Sequence, residues 1–175
     1  WNGAITLTIK ECASKPFSVF FRIPQWASDA KILVNGKALE AATAAGSYAR
    51  VERTWKAGDK AELKLPMKVR LMESNQLVEE TRNQAAVMRG PVVYCLEAKD
   101  LPEGVKLLDA AISADVVFAP KKEKIENSEM IVLEGQGLLT GRGDWNNVLY
   151  REISTGWETP VSVKLIPYYA WGNRG

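Results

Sequence analysis

Apolar and polar residues alternate with a period of two along most of the first half of the chain. Residues 5–9 place isoleucine and leucine at odd positions and threonine at even positions, and residues 17–23 repeat this pattern with phenylalanine, valine and isoleucine. This period is typical of a β-strand with one face on a core. Further strands are predicted at residues 48–55, 61–65, 67–71, 85–88 and 91–96.

A hairpin is predicted at residues 31–39. Two apolar runs flank Asn35-Gly36, and both residues tolerate the positive φ that a two-residue type I′ turn requires. This is the strongest local folding signal in the chain.

The second half has weaker strand signals and no window longer than about eight residues with helical spacing. A polar, turn-rich stretch at residues 99–104 predicts a domain boundary near residue 98. We therefore expect an all-β protein of two tandem antiparallel β-sandwich, jelly-roll-like domains, at residues 1–97 and 98–175. Strands are predicted at residues 105–108, 115–119, 130–134, 147–153 and 161–167, and loops at the charged run 121–129 and the glycine-rich run 135–144.

Composition and charge exclude several classes of protein. The 175 residues are 46% apolar and 25% charged, with a net charge of +2 spread along the chain. Nucleic acid is not an expected partner, because no basic patch stands out. A membrane is not expected either, because no apolar run reaches about 18 residues.

Residue types limit the available catalytic chemistry. The chain has no histidine, which removes Ser-His-Asp and Cys-His activation and the commonest metal ligand. Cys12 and Cys95 lie 83 positions apart, too far for a Cys-x-x-Cys metal clip. We expect both cysteines to be free thiols. A disulfide is the alternative if the strands that carry the two cysteines are neighbours.

No acidic pair suited to glycoside hydrolysis stands out. Glu79 and Glu80 are adjacent, so on a strand they would point to opposite faces. Glu97 follows a predicted strand and is a better single candidate, although an acidic residue at a strand end is usually a solvated terminus. The tripeptide Arg142-Gly143-Asp144 is a further, weak candidate for protein recognition, because three-residue matches arise by chance.

Six tryptophans suggest either core anchors or a stacking platform for sugar rings. Trp55 has the position of a core residue, and Trp26 that of a cap at one end of a sandwich. Trp145 lies in a polar loop and is the best exposed candidate. The candidate carbohydrate-contact residues are therefore Trp145 and Trp26.

The chain opens at Trp1 without a methionine and ends in the aromatic run IPYYAWGNRG at residues 166–175. That much aromatic surface is costly to expose. We expect the run to pack against something, and the chain to be a piece of a longer protein.

Six motifs occur in order along the chain. They are FRIPQWA at 21–27, VNG at 34–36, RTWKAGD at 53–59, LPM at 65–67, RGPVVYCLE at 89–97 and IPYYAWGNRG at 166–175. Together they resemble the C-terminal half of glycoside hydrolase family 127, the β-L-arabinofuranosidase type, formerly a domain of unknown function. The resemblance covers essentially the whole chain.

The resemblance implies that an N-terminal (α/α)6 barrel of the same polypeptide carries out catalysis, with a cysteine nucleophile and a zinc ion held by cysteines and a glutamate. Neither Cys12 nor Cys95 matches those motifs. We therefore assign no catalytic, cofactor-binding or metal-binding residue to this chain, and expect zinc only in the barrel.

The expected function is a non-catalytic β-sandwich region of a glycoside hydrolase that supports the barrel. The expected partner is that barrel, and a homodimer contact is a further candidate. The alternative is a carbohydrate-binding module that presents tryptophans to arabinose-containing, plant-type glycans.

Overall fold

The structure is a computed structural model that describes residues 2–40, 43–140, 148–150, 152 and 158–173. Within these ranges it contains thirteen β-strands and four single 3-10 turns, and no α-helix. The predicted all-β class is confirmed. The strands are β1 Ala4–Thr8, β2 Phe17–Arg22, β3 Lys31–Val34, β4 Lys37–Leu39, β5 Tyr48–Arg53, β6 Lys60–Lys64, β7 Val69–Met72, β8 Ala86–Arg89, β9 Val92–Leu96, β10 Ala110–Ala111, β11 Ala119–Ile125, β12 Ser128–Thr140 and β13 Glu158–Pro167.

The chain forms two compact units. The first comprises Trp1–Val69 with Arg89–Pro91, and the second comprises Arg70–Met88 with Val92–Gly175. The boundary expected near residue 98 falls inside the second unit. The reason is that β9 pairs with β13, so the strand just before residue 98 shares a sheet with the end of the chain.

The first unit contains two antiparallel sheets. One has four strands in the order β1-β6-β3-β4, and the other is the pair β2-β5. Strand β1 forms one edge of the larger sheet and leaves Ile5 and Leu7 partly exposed. Both sheets contribute side chains to one core, as in a β-sandwich. The buried core residues are Ile9, Phe21, Ile23, Ala27, Ala30, Ile32, Val34, Ala49, Val51, Trp55, Ala61 and Leu63.

Trp55 is the largest side chain in this core, with 1% of its surface exposed. Its indole Nε1 donates a hydrogen bond to the carbonyl oxygen of Phe17 at 3.1 Å. The guanidinium of Arg53 lies 5.2 Å from the indole centroid, within cation–π range. The predicted core position of Trp55 is therefore confirmed, and its polar atom has a partner, as burial requires.

The predicted hairpin is confirmed as β3 and β4, with φ of 51° at Asn35 and 78° at Gly36. The Asn35 amide also anchors a second turn. Its Nδ2 donates to Asp59 Oδ1 at 2.9 Å, and its Oδ1 accepts from the Lys60 amide at 2.9 Å. The hydrogen bond from Asn35 is the main cause that lowers the pKa of Asp59.

The second unit is built on a seven-stranded, curled sheet. The strand order is β10-β12-β13-β9-β8-β7, and β11 also pairs with β12. Strand β12 is the centre of this arrangement, because β10, β11 and β13 all pair with it in antiparallel fashion. One core cluster of the unit consists of Met130, Val132, Ile166 and Ala170, with Cys95 and Ile125 packed against it.

The prediction of a loop at the charged run 121–129 is wrong. Residues Ala119–Ile125 form β11, and β12 begins at Ser128 after a turn in which Glu126 has a φ of 54°. Strand β11 is largely exposed, so lysine and glutamate occupy it without cost. Cross-strand ion pairs link it to β12, from Lys122 to Glu129 at 2.7 Å and from Lys121 to Glu134 at 2.8 Å.

The glycine-rich run at 135–144 was also expected to be a loop, yet its described part, residues 135–140, continues β12. The glycines permit close packing here. A Cβ added at Gly135 would lie 2.6 Å from Phe118 Cδ1, and one at Gly137 would lie 2.9 Å from both the Ala111 carbonyl oxygen and Val163 Cγ1. Real Cβ contacts are not that short, so neither position has room for a side chain.

Three weaker strand predictions also differ from the structure. Residues 107–109 form a 3-10 turn, and the predicted strand at 115–119 contributes only its last residue to β11. Of the prediction at 147–153, residues 148–150 and 152 are described and none of them is in a strand, and the other three residues lie outside the described ranges. These segments have short apolar runs without clean alternation, the pattern that discriminates least between a strand and a turn.

Gly137→Ala is expected to destabilise the chain by about 1–3 kcal/mol, because the added methyl overpacks the contact between β12, β10 and β13. Urea unfolding followed by circular dichroism measures the change. Gln136→Ala is the matched control on the same strand, since Gln136 is exposed, and its effect should stay within about 0.5 kcal/mol. Equal stability of Gly137→Ala and the parent chain would contradict the close packing.

Candidate functional site

The two tryptophans predicted as carbohydrate contacts differ in what the structure shows. Trp26 is partly buried and packs against the core of the first unit, and the nearest atom of its ring lies 3.5 Å from a Cβ built at Gly90. This position agrees with a capping role. Trp145 lies outside the described residues, as does the Arg142-Gly143-Asp144 tripeptide.

The acidic residues singled out in the sequence do not converge. Glu79 and Glu80 occupy an exposed 3-10 turn, and Glu79 forms an exposed ion pair with Arg82 at 3.3 Å. Glu97 accepts a hydrogen bond from the Gly172 amide at 2.9 Å. This contact holds the end of the aromatic run against the end of β9, which is a structural task.

The most buried acidic side chain of the ion pairs is Asp100, with 5% of its surface exposed. Lys164 Nζ lies 3.5 Å from Asp100 Oδ1 and 3.1 Å from Glu123 Oε1, so one lysine bridges two carboxylates. Burial is the largest influence on Asp100 and raises its pKa, although Lys164 opposes the shift. The pKa of Lys164 is also raised, because its interactions with the two carboxylates outweigh its own desolvation. The cluster ties β11 and β13 to the turn after β9.

The residues described offer no metal centre. No group of three or more cysteine, aspartate or glutamate side chains comes together among them, and the chain has no histidine. Both cysteines are free thiols, as predicted. Cys12 lies in the first unit and its Sγ donates to the Trp55 carbonyl oxygen at 3.1 Å, whereas Cys95 lies in the second.

A cleft of about 940 Å3 opens in the second unit. Its floor is apolar, and the polar side chains around it are few and do not form an acid–base pair. Buried residues of β13 lie at its base and exposed Leu108 lies at its edge. The large apolar and aromatic side chains that line the cleft include Leu71, Met72, Tyr94, Leu96, Val163 and Leu165.

A second feature of this unit is an aromatic surface that follows β13. Residues Tyr168–Ala170 form a 3-10 turn that leaves Tyr168, Tyr169 and Trp171 exposed by 55%, 54% and 56%. The Tyr168 and Trp171 rings stack with centroids 5.7 Å apart and an interplanar angle of 12°. We call Tyr168, Tyr169 and Trp171 the aromatic patch.

A shallow depression of about 340 Å3 adjoins the patch. Trp171 lines it, whereas Tyr168 and Tyr169 do not. Leu96 and Leu107 make the depression apolar, and Glu97 and Lys99 place charged groups beside it. Sequence reasoning noted the aromatic run but could not show that its rings stack and stay exposed.

Two family profiles together cover almost the entire chain. Residues 1–67 match the profile described as "Beta-L-arabinofuranosidase, GH127 middle domain" and residues 69–175 match "Glycoside hydrolase family 127 C-terminal domain". The chain belongs to glycoside hydrolase family 127. The division between the two profiles coincides with the end of the first stretch of the first unit at Val69.

Individual relatives agree with this assignment. A "Non-reducing end beta-L-arabinofuranosidase" of Bifidobacterium longum subsp. longum is 32% identical over 99% of this chain. A solved structure named "Glycoside hydrolase" superposes over the whole chain with a TM-score of 0.93 and 46% identity. The structure of a GH127 beta-L-arabinofuranosidase from Geobacillus stearothermophilus T6 gives a TM-score of 0.87 and 31% identity, again over the whole chain.

The GH127 chain spans only a fraction of these relatives. It covers 27% of the Bifidobacterium protein and 29% and 27% of the two solved chains. More than two thirds of each relative therefore lies outside the matched region. Within the described part of the GH127 chain, no helix has the length and apolar content needed to cross a bilayer.

Lys164→Met is expected to destabilise the GH127 chain by about 1–3 kcal/mol at pH 7, because buried Asp100 then carries a charge without its main cation. The loss should shrink as the pH falls through the raised pKa of Asp100. The reason is that a protonated Asp100 carboxyl is neutral and gains little from Lys164. The difference in free energy of unfolding between the parent chain and the variant therefore decreases as the pH falls. Urea unfolding at several pH values measures both effects.

Lys122→Met is the matched control, since Lys122 pairs with Glu129 on the exposed face of β11. An exposed ion pair contributes about 0–1 kcal/mol, so this variant should unfold nearly as the parent chain does at every pH. A loss at pH 7 equal for both lysines would contradict the special role of the buried carboxylate.

Proposed function

We propose that this chain is a non-catalytic accessory region of a GH127 glycoside hydrolase of the β-L-arabinofuranosidase type. One observation carries the proposal. Alignments that cover 99–100% of the chain account for only 27–29% of relatives named as hydrolases. The profile names, "middle domain" and "C-terminal domain", support the presence of further sequence ahead of this region in the whole protein.

The acidic side chains of the described residues support a structural role. Most glycoside hydrolase families use two carboxyl groups that flank a sugar. Here Asp100 and Glu123 are held by one lysine, and Glu97 holds the backbone of Gly172. Each of these contacts joins secondary-structure elements of the second unit.

The proposed partner is the preceding part of the same polypeptide, which the family resemblance describes as an (α/α)6 barrel. The cysteine nucleophile and zinc ion of that resemblance would lie in the barrel, because neither Cys12 nor Cys95 matches the family motifs for them. The contribution of this chain is packing. Two rigid β-units cover part of the barrel and restrict the motion of its loops.

The relatives support the accessory role more than the alternative of a carbohydrate-binding module. Their names describe hydrolases, and Trp26, one of the two candidate contacts, is packed against the core of the first unit.

The GH127 chain expressed by itself should release no arabinose from an aryl β-L-arabinofuranoside and should hold no stoichiometric zinc. A longer polypeptide that includes the preceding sequence should release arabinose and should hold stoichiometric zinc. A chromogenic assay and metal analysis of dialysed samples measure these outcomes. Turnover that rises in proportion to the concentration of the short chain would overturn the proposal.

A further inference from the structure

The aromatic patch is an unusual surface for an isolated β-unit. Three large rings within four residues each expose more than half of their area. Contiguous apolar patches on soluble proteins commonly mark interaction sites, and tyrosine and tryptophan are enriched in the centres of protein interfaces. Leu107 and Leu108 are also exposed, and Leu107 lines the depression beside the patch, which extends the apolar area.

Contacts within the second unit hold the patch in place. Stacking on Tyr168 fixes the Trp171 ring, and the hydrogen bond from the Gly172 amide to Glu97 holds the following backbone. The 3-10 turn that carries the rings follows directly from β13, which is paired on both sides. A preorganised surface loses little conformational entropy on binding.

We infer that the aromatic patch is where the preceding part of the same polypeptide docks, with one of its large apolar side chains seated in the depression beside Trp171. This inference rests on the proposed accessory function and names the surface through which it acts. Such anchors in well-formed pockets dominate the energy of many interfaces.

The occupant follows from size and chemistry. The relatives carry more than two thirds of their length outside the matched region, so a large covalently linked partner is available without loss of translational freedom. The depression of about 340 Å3 is near the lower end of the range for ligand pockets, about 300–1,000 Å3, and suits one side chain.

A sugar is the less favoured occupant. Small-molecule sites combine an apolar surface with several polar groups that converge on the ligand. The walls of this depression carry only two charged side chains, Glu97 and Lys99, and Glu97 already accepts a backbone hydrogen bond from Gly172.

Hydroxyl-radical footprinting with mass spectrometry tests the inference on two polypeptides, the GH127 chain alone and a longer one with the preceding sequence. Trp171 and Tyr168 should be modified readily in the short chain and several-fold more slowly in the longer one. Trp55, 1% exposed, is the reference that should stay protected in both. Equal modification of Trp171 in both polypeptides would overturn the inference.

Substitution provides a second readout. Trp171→Ala should leave the thermal midpoint of the short chain almost unchanged, because the ring is exposed there, and should lower that of the longer polypeptide. Trp171→Phe should restore most of the loss. Tyr48→Ala is the matched control, an exposed aromatic on β5, and should have a smaller effect in the longer polypeptide than Trp171→Ala.

The outcomes separate this inference from the proposed function. If the short chain is inactive and the longer one active, but Trp171 is equally modified in both, only the docking surface is wrong. If Trp171 is protected solely after an arabino-oligosaccharide is added, the occupant is a sugar and the inference is overturned. Hydrolysis by the short chain would instead contradict the proposed accessory function, whatever the footprinting experiment shows.

Discussion

Antiparallel pairing along β12 is the interaction on which the second unit depends. Strands β10, β11 and β13 all bind to this one strand, and β13 in turn pairs with β9. Because β12 is central, both of its faces are buried near Val132 and Leu133, which occupy opposite sides of the sheet. The cleft, the ion cluster at Lys164 and the turn that carries the aromatic patch are all positioned through β12 and β13.

Local signals in the sequence predicted the first unit well. The period-two pattern located its strands, and Asn35-Gly36 located the turn, because positive φ at both positions is encoded by those two residues themselves. Trp55 was also recognisable as a core residue. These features depend on neighbours in the sequence, so no knowledge of the tertiary fold was needed.

The second unit was harder to predict, because its structure depends on contacts between residues that lie far apart in the sequence. Charged residues are typical of loops, yet on β11 they suit an exposed strand that pairs with β12 and protect its outer side from other chains. Gly135 and Gly137 are of a residue type typical of loops. In the structure, Phe118 and Val163 occupy the space that a side chain at these two positions would need. The buried carboxylate Asp100 gave no local signal at all, since its partner Lys164 lies 64 positions away.

The edge position of β1 has a consequence for handling the protein. A strand at the edge of a sheet presents unpaired backbone groups and is a template for pairing with another chain. Strand β1 has five residues, no proline and no charged residue, and it exposes Ile5 and Leu7. Aggregation of the chain in concentrated solution is therefore expected to begin at this edge, and a lysine placed on β1 is the change most suited to improving its solubility.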